Sequence, residues 1–386
     1  MGAFAHRGRI LHGRALKTSM PRPLVTFVLP CYKHGHFLAD CVRSILAQSF
    51  RDFEVLIMDD CSPDETPLIA RSFTDARVRH IRNPQNLGHL ANYNKGIGLA
   101  EGKYIWLINV DDFLRSPQVL EKFVAVMEKV PTAAYVFCRA FSVRGGVEVP
   151  PHAIHGTSDR VFGSEEFLKR LVVRNTISTP AVMVRRTSYE RVGRFEPDLP
   201  HSGDWFQWCR HAFHGDVAYL AEPMVCYRMH DTNMTHWYQQ NPHKLIRDEV
   251  EVRWRVRAMA EQLGRASVVS GATDAIAWDY GRRVALKLTE NWPLGMTMEE
   301  FNESVRAHTG DPAVIAQATV TVLRAVADAH YRSGDMAQAR VFYDRAVAAA
   351  PSHVATRAKR ALLATGSLGR RLRTAAARLR EGTAAL

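Results

Sequence analysis

The sequence predicts an α/β protein whose sheet is mainly parallel, followed by an all-α C-terminal region. Leu24–Leu29 is an apolar run broken only by Thr26, as expected for a strand that is covered on both faces. Further short apolar runs alternate with helical patterns up to Tyr104–Ile108, and repeated strand–helix units favour a parallel sheet with helices on both faces. After about residue 242 the strand patterns nearly disappear and long helical patterns follow.

Apolar spacing and end signals predict the individual elements. Phe37, Cys41 and Ile45 fall on one face of a helix, Pro63 and nearby acidic residues mark the start of a second, and Gly102 follows the end of a third. Strands are predicted at 24–29, 53–58, 78–81, 104–108, 133–143, 217–220 and 225–228, an extended segment at 178–184, and helices at 37–46, 63–73, 90–100, 163–175 and 203–213.

The 386 residues suit two domains. We predict a flexible basic arm at 1–22, an α/β domain at 23–240 and a helical region at 241–386, which ends in a basic tail at 353–386. Within the helical region, residues 312–351 resemble one tetratricopeptide repeat, and the residues that carry this pattern are Ala327, Gly334, Ala339, Tyr343, Ala346 and Pro351. Because stable arrays usually need about three units, a plain helical hairpin explains the pattern equally well.

The formal net charge of +12 belongs to the two ends of the chain. Residues 1–22 carry five basic residues and no acid, and residues 353–386 carry eight basic residues and one acid, so the stretch between them is formally neutral. This distribution argues against a nucleic-acid-binding face spread over the protein. It allows attraction to anionic lipid or to an acidic partner, and it equally fits two solvated tails.

The cysteines and the hydropathy pattern point to one compartment. The six cysteines are scattered without a CxxC pair, which argues against a disulfide framework or a zinc site and favours the reducing cytoplasm. The N-terminus lacks the apolar core of a signal peptide, and no apolar stretch approaches the roughly 20 residues of a spanning helix. We therefore expect a cytoplasmic protein that is soluble or at most peripheral at the inner membrane face.

Polar residues follow three of the predicted strands. Tyr32 comes after the first strand, Asp59-Asp60 after the second and Asp111-Asp112 after the fourth. Because ligands of parallel α/β sheets bind at the carboxyl ends of the strands, we expect these side chains to share one edge. A small number of hard oxygen ligands suits Mg²⁺ or Mn²⁺. Neither GxGxxG after the first strand nor GxxxxGK[ST] is present, which weakens dinucleotide-oxidoreductase and P-loop alternatives.

Several motifs occur in a fixed order along the α/β part of the chain. They are Val25-Thr26-Phe27-Val28-Leu29-Pro30-Cys31-Tyr32, Ser44-Ile45-Leu46-Ala47-Gln48-Ser49-Phe50, Phe53-Glu54-Val55-Leu56-Ile57-Met58-Asp59-Asp60-Cys61-Ser62, Asn86-Leu87-Gly88, Asn94-Lys95-Gly96 and Ala100-Glu101-Gly102-Lys103-Tyr104-Ile105. In this order and at this spacing, they resemble the motifs of family 2 glycosyltransferases with the GT-A fold, and the resemblance covers about residues 24 to 235.

The resemblance implies roles at the donor site. Tyr32 would stack on the donor base with Pro30 beside it, and Asp60 would hydrogen-bond the base while Asp59 supports that turn. The common family form is Asp-x-Asp followed by a further Asp, whereas the pair here is preceded by Val110. In the donor site so implied, Asp111 would contact the ribose or sugar and Asp112 would hold the Mn²⁺ or Mg²⁺ that bridges the diphosphate.

The resemblance also implies a catalytic base. Ser202-Gly203-Asp204-Trp205 resembles the family's acidic helix start, so Asp204 would be the catalytic carboxylate; the alternative is a helix cap. Trp205 and Trp208 are candidates for sugar stacking, with core packing as the alternative for Trp208. Tyr227-Arg228-Met229-His230 resembles the family's Tyr-Arg-x-His stretch, which would bring Arg228 to the diphosphate or His230 to the diphosphate or metal.

The expected activity is an inverting transfer of a sugar from a nucleotide diphosphate, with a UDP-sugar favoured. The acceptor would be a hydroxyl of a glycan, lipid-linked or protein substrate in cell-surface polysaccharide or glycoconjugate synthesis. Protein partners would bind through the C-terminal helices. Two alternatives stay open: a sugar nucleotidyltransferase, although Pro30–Gly35 is no Gly-rich phosphate loop, and a silent scaffold, against which the intact acidic residues argue.

Overall fold

The computed structural model describes residues 22–290, 296–351 and 354–364. Its strands lie in one sheet with the order β3-β2-β1-β4-β9-β6-β10-β5. They are β1 (Val25–Cys31), β2 (Phe53–Asp59), β3 (Val78–Arg82), β4 (Tyr104–Leu107), β5 (Phe113–Leu114), β6 (Ala133–Arg144), β7 (Val147–Val149), β8 (Arg160–Phe162), β9 (Val182–Arg185) and β10 (Asp216–Arg228).

Helices cover the sheet and make up the described chain beyond β10. They are α1 (Gly35–Leu46), α2 (Thr66–Ser72), α3 (His89–Leu99), α4 (Val119–Lys129), α5 (Ser164–Leu171), α6 (Arg186–Val192), α7 (Gly203–Phe213), α8 (Met234–Gln240), α9 (Pro242–Gln262), α10 (Ala266–Glu290), α11 (Met298–His308), α12 (Pro312–Ser333), α13 (Met336–Ala349) and α14 (Val354–Ala364). No helix within the described ranges is long and apolar enough to cross a bilayer.

The pairing of the strands confirms the predicted α/β architecture. The pairs β1–β2, β1–β4, β2–β3 and β6–β10 are parallel, whereas β9 runs antiparallel between β4 and β6. The carboxyl ends of β1, β2 and β4 therefore meet at one edge of the sheet. This is the edge at which ligands of parallel α/β sheets bind.

Apolar alternation along β1 fills a core on each face of the sheet. Phe27 packs in one core, stacked on Trp106 with ring centroids 5.5 Å apart, and Trp106 in turn stacks on Phe123 of α4 at 4.2 Å. Val28 points to the other core. There α3 lies close to the strands, because a Cβ added at Gly96 would be 2.4 Å from the side chain of Val28.

Helix α9 belongs to two cores at once. Val252, Val256 and Ala260, four residues apart, lie in the sheet core that contains Val28, and a second stripe, Ile246, Val250 and Trp254, lies in the core of the helical region. The predicted domain boundary at residue 240 thus falls just before a helix that packs against both the sheet core and the core of the helical region. The division into domains stays a prediction.

Several predicted elements differ from the structure. The two strands predicted at 217–220 and 225–228 are one long strand, β10, whose register shifts on both sides of Pro223. The extended segment predicted at 178–184 begins with a short 3-10 turn, Thr179–Ala181, before β9. Helices α4 and α6 and the short strands β5, β7 and β8 were not predicted.

The helical region contains the expected hairpin. Helix α12 ends at Gly334, whose φ of +87° is the left-handed conformation that glycine adopts most readily, and Asp335 then caps α13. The tetratricopeptide resemblance itself stays a prediction. The basic tail predicted from residue 353 includes α14, in which Lys359 pairs with Asp328 at 2.6 Å and Arg360 with Asp344 at 2.6 Å.

The arm at 1–22, except Arg22, and the tail beyond Ala364 lie outside the described residues. All six cysteines are described and unpaired, and five of them are buried; Cys61 alone is partly exposed.

Candidate active site

A cavity of about 860 Å³ opens at the carboxyl edge of the sheet. Its wall combines residues that follow three strands with residues from the start of α7. Pro30, Tyr32, Asp60, Asp111 and Asp204 all line it. The strand ends and the acidic helix start singled out from the sequence are therefore brought together in one site.

Tyr32 presents its ring to the cavity at the end of β1 and is 39% exposed. Lys33 beside it has a φ of +59°, and its ammonium lies 5.1 Å from the Tyr32 ring centroid. The Lys33 amide donates to the hydroxyl of Ser62 at 3.3 Å, which ties this loop to the turn after β2. An exposed aromatic ring beside a cation is suited to a planar, negatively charged ligand.

Asp60 lines the cavity and also fixes one of its loops. Its carboxylate accepts hydrogen bonds from the side-chain amide of Asn83 at 2.8 Å and from the backbone amides of Leu87 and Gly88 at 2.8 and 3.0 Å. The Asp60 carboxylate is thus held at the cavity wall by three donors.

Asp59, predicted at the donor site, does not line the cavity. It is fully buried and accepts hydrogen bonds from the amide of Ser62 at 2.8 Å and from Arg82 at 2.6 Å, and it contacts the ring of His80 at 3.1 Å. Its place in the structure is the support of the turn that carries Asp60. Asp59 therefore has no surface open to a ligand in the cavity.

The two carboxylates after β4 face different surroundings. Asp111 lines the cavity, and its Oδ2 lies 3.1 Å from Nε2 of His230 and 3.1 Å from the side-chain amide of Asn233. Asp112 has no exposed surface and is absent from the cavity wall; its Oδ1 accepts the Arg228 amide at 2.9 Å. Desolvation, together with the neighbouring Asp111, raises the pKa of Asp112 well above its ordinary value.

This geometry favours Asp111 over Asp112 as the metal-binding carboxylate. Sequence reasoning assigned the metal to Asp112, but Asp112 has no exposed surface and does not line the cavity. Oδ2 of Asp112 is buried without a hydrogen-bond partner.

The residues at the end of β4 fit a divalent cation. Two adjacent carboxylates, one with an orphaned oxygen, favour a nearby positive charge, and the Asp111 oxygen with the His230 nitrogen offers two suitable donors. Within the part of the chain that is described, no group of three or more His, Cys, Asp or Glu side chains forms a complete metal site. Phosphate oxygens and waters would therefore complete the shell, as Mg²⁺ sites commonly require.

Arg228, a candidate for the diphosphate, is held by the protein itself. Its guanidinium donates to the Asp111 carbonyl at 3.2 Å and to the Asp40 carboxylate at 3.1 Å, and it lies over the rings of Phe37 and Phe113. Arg228 does not line the main cavity. In this structure its contacts hold the loop that carries Asp111 in place.

Asp204 lies in the first turn of α7 with its carboxylate in the cavity wall. Its Oδ2 accepts hydrogen bonds from Thr179 at 3.0 Å and Asn175 at 3.2 Å, and Oδ1 accepts from the Trp205 amide at 2.6 Å. The residue at the capping position is Ser202, so Asp204 is not the cap. Desolvation raises the pKa of Asp204 above its ordinary value, although these hydrogen bonds and His201 oppose the shift.

The two tryptophans of α7 are core residues. Trp205 is 2% exposed and donates its indole N–H to the Leu171 carbonyl at 2.8 Å, although its edge reaches the cavity wall. Trp208 is 1% exposed and packs against Tyr135 and Phe195. Sugar stacking by Trp208 is therefore wrong for this fold, and Trp205 offers only an edge.

Sequence reasoning missed the partners of the acidic residues. Asn175 and Thr179 hold Asp204, and Asn233 holds Asp111. Tyr93, also on the cavity wall, donates to the side chain of Asn109 at 2.7 Å. These residues lie in loops or on a helix face without a pattern of their own; only the nearby Tyr-Arg-x-His stretch pointed towards Asn233.

Comparisons with known proteins agree with this geometry. Residues 26–193 match the family model described as Glycosyl transferase family 2. An uncharacterized glycosyltransferase of Rickettsia typhi is 22% identical over 57% of this chain and 68% of its own length. The putative colanic acid biosynthesis glycosyl transferase WcaA of Escherichia coli is 27% identical over 41% of this chain and 57% of its own length.

Among solved structures, residues 1–349 of Staphylococcus aureus TarS, crystallised with UDP-GlcNAc, superpose with a TM-score of 0.57. The identity is 16%, over 82% of this chain and 90% of that one, so this likeness shows the fold. The chain has a GT-A fold followed by an all-α region. Across residues 26–193 the chain is similar to family 2 glycosyltransferases.

Proposed function

We propose that the protein is an inverting glycosyltransferase that moves a sugar from a nucleoside diphosphate to an acceptor hydroxyl. The observation that carries the proposal is the placement of Asp204, a half-buried carboxylate with a raised pKa, in the same cavity as Tyr32, Asp60 and Asp111. A carboxylate that could accept a proton and residues suited to binding a nucleotide therefore line the same cavity.

The nucleotide would bind at the ends of β1 and β2. Tyr32 would stack on the base beside Pro30, and Asp60, with three hydrogen bonds already fixing its carboxylate, would accept one from the base. A UDP-sugar is the favoured donor. The TarS fragment that shares the fold was crystallised with UDP-GlcNAc, which supports this class of donor.

Asp111 and His230 would hold Mn²⁺ or Mg²⁺ beside the diphosphate. When bound, the ion would neutralise charge that develops on the departing diphosphate, an effect worth several kcal/mol. Asn233 and Arg228 would keep the loop of Asp111 in place from behind, through the contacts at 3.1 and 3.2 Å.

Asp204 would act as the general base. The acceptor hydroxyl gives its proton to the Asp204 carboxylate while its oxygen forms a bond to the anomeric carbon. The bond between that carbon and the diphosphate oxygen breaks on the opposite face, and the electron pair leaves with the nucleoside diphosphate. A raised pKa makes Asp204 a stronger base than an ordinary aspartate, and a positioned base typically contributes about 10²–10⁴-fold.

The acceptor we propose is a glycan, lipid-linked or protein hydroxyl in polysaccharide or glycoconjugate synthesis. The name of WcaA, a relative over 41% of this chain, supports the polysaccharide class. Six unpaired cysteines support the cytoplasm as the compartment. The basic C-terminus supports peripheral contact with an anionic membrane, and the exposed helical faces offer a surface for a protein partner.

Donor turnover with added Mn²⁺ tests the proposal. After thermal-shift screening of nucleotide sugars, the stabilising donor should be cleaved to a nucleoside diphosphate, and the Asp204→Asn variant should bind the same donor but lose transfer by about 10²–10⁴-fold. Asp216→Asn, which changes an aspartate outside the cavity, serves as control. Pyrophosphate exchange would indicate a sugar nucleotidyltransferase instead, and no turnover of any donor would indicate a scaffold.

A further inference from the structure

Helix α9 of the helical region reaches the segment that carries Asp204. Oδ2 of Asp248 accepts hydrogen bonds from the backbone amides of His201 at 2.8 Å and Ser202 at 3.3 Å. Ser202 is the residue at the capping position of α7, and Asp204 lies two residues further on. A carboxylate of the helical region thus binds the backbone immediately before the proposed base.

The start of α7 has no cap of its own. The side chain of Ser202 makes no capping hydrogen bond, so the amides around it depend on other elements. His201 is further packed against the ring of Tyr238 in α8, with centroids 4.3 Å apart. Without Asp248, two amides of this loop would lose their acceptor and the loop its attachment to α9.

Two other residues of α9 hold the same segment. The buried guanidinium of Arg253 lies 4.7 Å from the Trp205 ring centroid and donates to the carbonyls of Val172 and Val173 at 3.3 and 2.8 Å. Arg255 forms an ion pair with Asp198 at 2.5 Å, nearer the solvent. Glu249, the neighbour of Asp248, lines the cavity itself. Four residues of one helix, Asp248, Glu249, Arg253 and Arg255, thus contact the Asp204 segment or line its cavity.

We propose that α9 is part of the active site and that Asp248 is a positioning residue for Asp204. The inference rests on the proposed role of Asp204 as the base. By fixing the His201 and Ser202 amides, Asp248 keeps the Asp204 carboxylate in position to accept a proton from the acceptor hydroxyl. A small displacement suffices to slow transfer, because misplacement of a reacting group by about 1 Å can cost about a hundredfold in rate.

The test compares Asp248→Ala with Asp248→Asn in the full-length protein. Alanine removes the acceptor of both amides, so kcat should fall by about tenfold to a hundredfold while the Kd for UDP stays unchanged. Asparagine keeps a side-chain carbonyl and should restore most of kcat. Arg247→Ala is the matched control on the same helix, because it removes an ion pair with Glu300 of α11, away from the Asp204 segment, and should leave kcat near the wild-type value.

A structural readout accompanies the kinetics. Amide hydrogen exchange of the segment 198–206 should be faster in Asp248→Ala than in wild type or Asp248→Asn, whether or not an acceptor has been found. Asp248→Ser provides a polar replacement if the alanine variant does not fold. Wild-type kcat and unchanged exchange in these variants would overturn the positioning role. An inactive wild-type protein with the expected exchange pattern would count against the proposed function and leave the positioning of the loop supported.

Discussion

At the scale of single residues, the surroundings of Asp204 determine the pH at which it can accept a proton. Burial raises its pKa, and the hydroxyl of Thr179, 3.0 Å from Oδ2, lowers it by stabilising the ionised form. The base works only when ionised, so activity should fall as the pH drops through this pKa. The acid limb of the rate profile should therefore lie above the ordinary aspartate range.

Thr179→Val should move that acid limb to higher pH. Valine cannot donate a hydrogen bond to the Asp204 carboxylate, so the ionised form of Asp204 is less stabilised and its pKa rises further. The rate should be lower than wild type on the limb and recover at alkaline pH, as measured from kcat against pH. Thr132→Val is the control, because it removes a Thr–Asp hydrogen bond of 2.7 Å to Asp216, outside the cavity. A limb shifted to lower pH would contradict the assignment of the base.

Asp111→Asn and Asp112→Asn should separate the two carboxylates after β4. Asp111 faces the cavity, so its amide variant should weaken Mn²⁺ binding in the presence of UDP by about tenfold or more. Asp112 is buried away from the cavity, and its neutral variant relieves repulsion from Asp111, so Mn²⁺ binding should persist. Electron paramagnetic resonance of free Mn²⁺ measures both. Binding lost only in Asp112→Asn would restore the assignment made from the sequence.

Sequence patterns locate the acidic site but not the direction in which each side chain points. Asp60 and Asp111 follow buried strands of one sheet, so their convergence was predictable. Adjacent residues such as Asp111 and Asp112 are alike in sequence, and only the packed turn decides which of them faces the cavity. The donors to Asp204 come from Asn175 and Thr179, residues of an irregular segment that no periodic pattern distinguishes.

At the scale of elements, the close approach of α3 to the sheet limits which residues can replace its glycines. A methyl group on Gly96 would lie 2.4 Å from Cγ1 of Val28 and 3.0 Å from Cγ of Met58, both buried in the core. Gly96→Ala should therefore lower the free energy of unfolding by about 1–3 kcal/mol, as overpacking does. Urea denaturation measures the change.

Gly98 on the same helix provides the matched comparison. Its added methyl group would meet the end of the Arg194 side chain, which can move aside. Gly98→Ala should leave the free energy of unfolding unchanged or raise it by up to about 1 kcal/mol, because alanine favours the helix. Equal destabilisation by both substitutions would show that alanine destabilises helix α3 at either glycine, and that contact with the strands is not the cause of the destabilisation.

The elements that were predicted correctly are those whose apolar runs are long enough to carry a period. The strands β1, β2 and β4 and the helices α1 and α3 belong to this group. Helix α4 was missed although Leu120, Phe123, Val124 and Met127 have helical spacing and are buried, so its signal was present. Strands of two or three residues have no measurable period. Pro223 divided the pattern of β10, because the sequence does not reveal the bulges that accommodate it.

At the scale of the whole molecule, the basic charge at the C-terminus is the feature that bears on location. Lys359 and Arg360 are paired with acidic residues of α12 and α13, so most of the positive charge of the tail that is available to a membrane belongs to residues beyond Ala364, outside the described ranges. This charge comes from Arg370, Arg371, Arg373, Arg378 and Arg380, and each basic residue near an anionic surface contributes about 1 kcal/mol.

Truncation after Ala364 should release the protein from anionic vesicles at low salt. Donor turnover should be unaffected, because the cavity and α9 stay intact. Co-sedimentation with phosphatidylserine vesicles measures binding, and neutral phosphatidylcholine vesicles are the control. If the full-length protein fails to sediment with either, the tail is solvated or serves a protein partner.

The distribution of the cysteines gives the molecule a built-in attachment point for a reporter dye. Five thiols are sealed in the interior, and the sixth, Cys61, is partly open to solvent directly after Asp60. Maleimide chemistry on the native chain would therefore favour a single position next to Asp60, without any mutagenesis. The fluorescence of a dye at that position would report donor binding. The rate at which the other five thiols become reactive would measure the rate of unfolding.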